Sequence, residues 1–184
     1  DALSAGSLGR FGEERPGVYV TMGSSGDVSV LPKVIAALAP LRLDVLVTSA
    51  GRALPPLPRG VRVLDVVDGG EASKRAALVV CNGGASTAWQ ALANGTPVVG
   101  IPSNLDACLA MSCVSSFGAG VEVRPDATVE RIRDACALAI TSDAIRARAD
   151  ELRVSASRIV PNARFFAVLE SVAGFGRHAW EARS

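Results

Sequence analysis

Lysine and histidine are almost missing from this chain of 184 residues, in which Lys33 and Lys74 are the only lysines and His178 is the only histidine. Neither lysine stands in a G-K-[ST] sequence, which disfavours a G-x-x-x-x-G-K-[ST] phosphate loop and the ATP hydrolysis that goes with it. Cys81, Cys108, Cys113 and Cys136 contain no C-x-x-C spacing. With one histidine, neither a zinc site nor a redox pair is indicated; no metal ligand is assigned, and buried, reduced thiols are expected. An excess of charge is missing too. The 19 Lys plus Arg against 18 Asp plus Glu leave a net charge of +1, which gives no reason to expect nucleic acid or an anionic membrane as partner. No apolar run approaches the roughly 18 residues of a membrane span. No charged-then-apolar leader opens the chain, so a soluble, cytoplasmic protein is expected, with His178 a surface residue.

With 49% hydrophobic residues the chain can bury a core and fits one domain of ordinary size. Short β-branched runs at Val18–Met22, Leu43–Thr48, Val61–Val67, Ala77–Cys81, Pro97–Ile101 and Gly120–Val123 alternate with Ala-rich segments of helical periodicity. Runs apolar on both faces suit parallel strands covered by helices on either side and joined by right-handed crossovers. The fold class expected is therefore α/β, a Rossmann-like, doubly wound sheet of six parallel strands in the order 3-2-1-4-5-6. Only helices follow the last strand, at about Thr128–Ile140, Ser142–Ile159 and Asn162–Ala173. Arg146, Arg148, Arg153 and Arg158, interleaved with Asp150 and Glu151, read as a solvated helix face. The Gly/Ser-rich opening as far as Pro16-Gly17 reads as a linker over residues 1–17, followed by the domain at 18–173 and a tail at 174–184. Because the chain opens at Asp1 rather than Met, a further segment is expected ahead of it.

Two glycine loops stand out. Gly23-Ser24-Ser25-Gly26 follows the first strand, and Asn82-Gly83-Gly84-Ala85-Ser86-Thr87 follows the fourth and opens into a helix. Such a turn leaves free N–H groups and a positive dipole end aimed at one spot, which suits a diphosphate. Taken singly, either loop can equally be no more than a tight βα turn. Strands one and four, however, are where the direction of winding reverses, and ligands of open α/β sheets bind outside the carboxyl ends there. Two loops at that point favour a nucleotide site. NAD and FAD are disfavoured, because G-x-G-x-x-G is absent and the second strand ends in Thr48-Ser49-Ala50 rather than in an acid. After the fifth strand, Pro102–Asp106 brings Asn104 and Asp106 to the same edge. The irregular stretch Asp68–Glu71 after the third offers a seat for a base or ribose. Asp106 can also cap the helix that follows it, and the two roles coexist. Trp89, one turn into its helix, is expected to pack between helix and sheet.

The run Cys81-Asn-Gly-Gly-Ala-Ser-Thr-Ala-Trp-Gln90, followed by Ala91-Leu-Ala-Asn-Gly-Thr-Pro-Val-Val-Gly-Ile-Pro102 and Asp106, resembles the donor-binding signature of GT-B glycosyltransferases of the UDP-glycosyltransferase and macrolide-glycosyltransferase type. Val18–Ser25 resembles the first strand and loop of the same C-terminal half, and the likeness runs to about Ala173. It implies that the diphosphate of a UDP-sugar or dTDP-sugar, a substrate and not a cofactor, is held by Gly23, Ser24, Ser25, Asn82, Gly83, Gly84, Ser86 and Thr87. It further implies that Gln90, Val67 and Asp68 face the ribose and base, and that Asn104 and Asp106 face the sugar. Asn82 stands where the family has His, Gln90 where it has Glu, and Ala107 where it has the Gln of a D-Q pair; the W-x-P-Q pattern near the base is absent. The family's acceptor pocket and catalytic base belong to an N-terminal half with no counterpart here. The resemblance thus implies the donor-binding half of a glycosyltransferase acting on a small hydrophobic or natural-product acceptor. Alone it would be inactive, and an N-terminal acceptor domain or partner subunit would complete it. The departures at Asn82, Gln90 and Ala107 leave a second class open, a non-catalytic nucleotide-sugar-binding or accessory subunit.

Overall fold

The computed structural model describes residues 7–158. Strands β1 (Gly17–Thr21), β2 (Asp44–Thr48), β3 (Arg62–Leu64), β4 (Ala76–Cys81), β5 (Val98–Gly100) and β6 (Gly120–Glu122) form one sheet in the order β3-β2-β1-β4-β5-β6. Every neighbouring pair is parallel. The expected order is the observed one, and the sheet is doubly wound. The helices are α1 (Leu31–Leu38), α2 (Gly69–Arg75), α3 (Ala85–Leu92), α4 (Leu105–Phe117), α5 (Val129–Thr141) and α6 (Asp143–Ser157). Between β2 and β3 there is no helix; Pro55, Pro56 and Pro58 hold that connection open, since proline lacks the N–H a helix interior needs.

Strand periodicity sorts the core into two layers. Val18, Val20, Val47, Leu78, Val80 and Val99 point to one face, where they meet α1 and α5 residues such as Val34, Leu38, Ile132 and Ala139. Tyr19, Leu46, Val79, Cys81 and Val98 point to the other, against Ala72 of α2, Ala88 and Leu92 of α3, Met111 of α4 and Ala149 of α6. Each fully buried Val or Leu contributes about 1.5–3 kcal/mol, so both faces must be covered, as the unbroken apolar runs require. Register then aligns the carboxyl ends: Leu64, Thr48, Thr21, Cys81, Gly100 and Glu122 are successive partners across the sheet. Every loop that leaves a strand at its carboxyl end departs from this single row.

Several expectations are corrected. Residues 7–16, read as linker, pack against the sheet: Phe11 is 1% exposed, and the Gly12 N–H donates to Asp44 Oδ2 at 2.9 Å. One buried aromatic ring outweighs the Gly/Ser-rich composition around it. Asp68–Glu71, read as irregular, begins α2, because Asp68 caps it by accepting from the Glu71 N–H at 3.0 Å while Lys74 and Arg75 complement its last turn. Trp89, expected between helix and sheet, is 48% exposed on the outer side of α3, whose inward positions are Ala88, Ala91 and Leu92. Cys81 and Cys136 are buried as expected, whereas Cys113 is exposed and Cys108 half-buried on α4. The arginine-rich face of α6 is solvated and laced by the pairs Arg148–Glu151 and Arg153–Asp150. The helix expected at 162–173, the tail, His178 and Trp180 lie outside the described residues.

Candidate functional site

The two glycine loops meet at Asn82. This side chain, 7% exposed, continues β4 beyond Cys81 and lies under both turns. A methyl group at Gly23 would sit 3.7 Å from Asn82 Oδ1, and one at Gly84 would sit 3.4 Å from the same oxygen. A methyl at Gly26 would strike Asn82 Cβ at 2.5 Å and collide with the Met22 carbonyl oxygen, to which the Gly26 N–H donates at 2.9 Å. The first loop can therefore close on the second only with glycine at position 26. Gly83 is equally constrained: its φ is +74° and a Cβ there would meet Met111 Cγ at 2.6 Å. Ser24 and Ser25 stay exposed at the tip of the first loop.

Four of the helices have side-chain caps, from Asp68, Asn104, Thr128 and Ser142. No side chain caps α3. Its N-cap is Gly84, and its first closing bond runs from the Ala88 N–H to the Gly84 carbonyl at 3.0 Å. The N–H groups of Ala85, Ser86 and Thr87 consequently point out of the helix with no intrahelical partner. Ser86 is exposed and Thr87 half-buried beside them. The Gly84 N–H makes a long contact of 3.4 Å with Asn82 Oδ1, and the Gly83 N–H one of 3.3 Å with Cys81 Sγ. Burial pushes the Cys81 thiol up to about 11, against the opposing Gly83 N–H, so it is a neutral acceptor here.

The remaining predicted residues fall into two flanking groups. Gln90 reaches from α3 over the first turn of α2, where Gly69 has no side chain to obstruct its Oε1. Gln90 Nε2 and Asp68 Oδ1 both come within 3.7 Å of the position a methyl at Gly70 would take, so these two converge. Val67 lines a cavity of about 220 Å³ with Tyr19, Thr21, Thr48, Ala50, Asp65 and Val66, at the carboxyl ends of β1 and β2. Tyr19 Oη and Thr48 Oγ1 lie 3.3 Å apart in its floor. On the other flank Asn104, not Asp106, caps α4, accepting from the Ala107 N–H at 2.9 Å. Asp106 is left exposed in the first helical turn, where the dipole favours an acid. A methyl at Gly83 would lie 3.5 Å from the Ala107 carbonyl oxygen, so this turn abuts the glycine loop.

Sequence reasoning missed Arg52 and Asp65. Arg52 Nη1 donates to the carbonyls of Gly23 at 3.3 Å and Gly26 at 2.5 Å. Asp65 accepts from the Ser49 hydroxyl and from the Gly51 N–H at 2.9 Å, and these bonds, the hydroxyl's first, hold its carboxyl below the usual carboxylate range. No local signal announces either residue, since the contacts span 14 to 29 positions.

The profile of the erythromycin biosynthesis protein CIII-like C-terminal domain family matches residues 32–163, well over half of the chain and across both flanks of the site. The chain belongs to that family. Among curated relatives, a PGL/p-HBAD biosynthesis glycosyltransferase of Mycobacterium tuberculosis is 45% identical over 114 residues, 61% of this chain and 27% of the relative. A PGL/p-HBAD biosynthesis rhamnosyltransferase of Mycobacterium bovis is 45% identical over the same length, covering 25% of that protein. A demethyllactenocin mycarosyltransferase of Streptomyces fradiae is 28% identical across 80% of this chain and 30% of its own. The match thus spans under a third of these relatives' lengths. Among solved structures, the spinosyn forosaminyltransferase SpnP superposes with a TM-score of 0.76 at 20% identity, over 88% of this chain and 44% of that one. The glycosyltransferase VinC, solved in complex with dTDP, gives 0.72 at 24%, over 88% and 42%. This CIII-like C-terminal domain therefore has the fold of the corresponding half of GT-B glycosyltransferases. Its glycine loops, uncapped α3 and flanking side chains sit on the carboxyl edge where such sheets bind ligands. No helix among its described residues is long and apolar enough to cross a membrane.

Proposed function

We propose that this chain is the donor-binding half of a glycosyltransferase that moves a sugar from a UDP-sugar or dTDP-sugar to a small hydrophobic or natural-product acceptor. The acceptor pocket and the general base belong to an N-terminal half, in the same polypeptide or in a partner subunit. The observation that carries this reading is the uncapped start of α3 meeting the Gly23–Gly26 loop across Asn82, where the winding of the sheet reverses. As the sugar departs, negative charge grows on the leaving diphosphate, and N–H groups fixed in advance stabilise it without reorganising. Each hydrogen bond to a charged phosphate contributes about 1.5–3 kcal/mol, so Ala85, Ser86 and Thr87 with the Ser24 and Ser25 hydroxyls can hold a diphosphate without lysine. The cavity beside Val67 is the seat for the base, Gln90 and Asp68 face the ribose, and Asp106 with Asn104 faces the sugar. The dTDP bound to VinC supports a thymidine or uridine diphosphate as the anchoring group.

Thermal unfolding with millimolar dTDP or UDP tests the reading. Ligand at 100 times its dissociation constant stabilises by ~2.7 kcal/mol, which for a domain of this size raises Tm by roughly 5–10 °C. Gly84→Val should remove the shift and leave the fold intact. Position 84 has φ −62° and ψ 137°, suited to valine, and its Cβ meets Asn82 Oδ1 at an ordinary 3.4 Å. A chain that responds to neither nucleotide, or a Gly84→Val variant that responds fully, would overturn the proposal.

A second reading, a nucleotide-sugar-binding accessory subunit without transfer, is favoured by Asn82. Its neutral side chain lies under the loops, where the family's histidine offers the leaving group a cation. Sugar transfer by the chain joined to its N-terminal half separates the two readings, since only the first predicts turnover.

A further inference from the structure

We infer that Arg52 is the positioning residue of the Gly23–Gly26 loop and the cation this lysine-poor site uses in place of a lysine. The inference rests on the donor-binding reading above. One nitrogen, Arg52 Nη1, serves both ends of the loop, bonding Gly23 O at 3.3 Å and Gly26 O at 2.5 Å. In a trans peptide unit the C=O and the following N–H point in opposite directions. Drawing the Gly23 carbonyl toward the guanidinium therefore turns the Ser24 N–H away from it, and the Gly26 carbonyl does the same for Asp27. Left alone, those carbonyl oxygens are free to rotate toward the anion and repel it. Held by Arg52, these two carbonyls face away from a phosphate on the far side of the loop, toward which the Ser24 N–H is turned.

The segment that carries Arg52 is itself built to hold it. Ala50 has a left-handed φ of +51°, a conformation that is unfavourable for a non-glycine residue and persists only where its surroundings impose it. Here the Ala50 N–H donates to the Asp65 carbonyl at 2.9 Å, the Gly51 N–H and Ser49 hydroxyl to the Asp65 carboxylate, and the Arg52 N–H to the Ser49 carbonyl at 3.1 Å. The same turn therefore connects the end of β3, through Asp65 and Arg52, to the loop after β1, which rests on Asn82 after β4. Segments that follow four different strands, β1, β2, β3 and β4, are braced as one unit along the carboxyl edge. Among the described residues Arg52 Nε and Nη2 have no hydrogen-bond partner and no carboxylate pairs with the cation. Asp27, lowered first by the Ser29 hydroxyl and N–H, is the acid that also feels its charge.

The test compares Arg52→Met, which keeps the stem and loses the donors and charge, with Arg52→Lys, which restores both. Binding of dTDP and UDP is measured by calorimetry beside thymidine and uridine, and amide hydrogen exchange is followed at residues 23–27 in the free protein. Arg52→Met should weaken dTDP or UDP 10- to 100-fold, leave the nucleoside affinity within twofold, and speed exchange at residues 23–27. Arg52→Lys should recover most of each loss. Equal loss of nucleotide and nucleoside would mean a merely structural role and overturn the inference, as would unchanged exchange. Normal nucleotide binding by Arg52→Met overturns it while leaving the donor site standing. Wild-type protein that binds neither nucleotide overturns the donor reading itself, and the phosphate role of Arg52 with it. If Arg52→Met fails to fold, Asp65→Ala frees the same segment from a distance; it should reproduce the diphosphate-selective loss more weakly, and its binding like wild type would refute the brace.

Discussion

Replacing Asn82 by aspartate, Asn82→Asp, tests the placement of the diphosphate with almost no change of shape. The new carboxylate would occupy the point now 3.4 Å from the Gly84 nitrogen and 3.7 Å from where a methyl at Gly23 would lie. A phosphate oxygen gripped by the N–H groups at the start of α3 at about 2.9 Å would stand roughly 5 Å from it. Two unit charges at that distance repel by about 1 kcal/mol in a water-like medium and about 3 kcal/mol at the effective dielectric of a protein surface. The expected loss of dTDP or UDP affinity is therefore roughly 5- to 150-fold, read by calorimetry, with thymidine and uridine unaffected. Two controls follow from the same electrostatics. Raising salt should shrink the deficit. Burial and the bound phosphate both raise the pKa of the introduced acid, so the deficit is full above that raised value and fades as pH falls through it, making it larger at pH 8 than at pH 5. A variant that binds nucleoside diphosphates within twofold of wild type at pH 8 and low salt would place the phosphates elsewhere and refute the reasoning.

Phe11→Ala should destabilise the domain by about 3–5 kcal/mol in urea unfolding, the cost of emptying a buried aromatic site; a loss under 1 kcal/mol would show that residues 7–16 do not belong to the folded unit. Iodoacetamide at pH 8 should label Cys113 first and leave Cys81 and Cys136 unreacted while the protein stays folded. Burial pushes those two thiols up to about 11 and about 12, so their thiolate is fully formed only well above that pH. Mass spectrometry showing Cys81 modified as fast as Cys113 would contradict that packing.

The unbroken Val and Leu runs made the parallel sheet legible, because strands covered on both faces leave no room for polar alternation. Six such runs with intervening helical periodicity led to the observed strand order. Glycine loops after the first and fourth runs likewise point to the carboxyl edge from the sequence alone. A residue's own preference misleads where its neighbours or the packing outweigh it. Asp68-Gly-Gly-Glu71 looked irregular because glycine disfavours helix, yet the Asp68 cap and the packing of Ala72 under the sheet outweigh that preference. For Asp106, capping stands beside the sugar-facing role as an alternative, and the cap is Asn104, two residues earlier, which has the extended backbone a cap requires.

By itself the sequence determined the sheet, its winding and the two turns that expose main-chain donors, since hydrophobic period and glycine placement are local properties of the chain. Tertiary structure alone decided that Asn82 lies under both turns, that Phe11 belongs to the core, and that Arg52 and Asp65 brace the edge. Those contacts join positions as distant in the chain as Gly23 and Asn82, and no periodicity encodes which long side chain will reach which carbonyl once the strands are aligned.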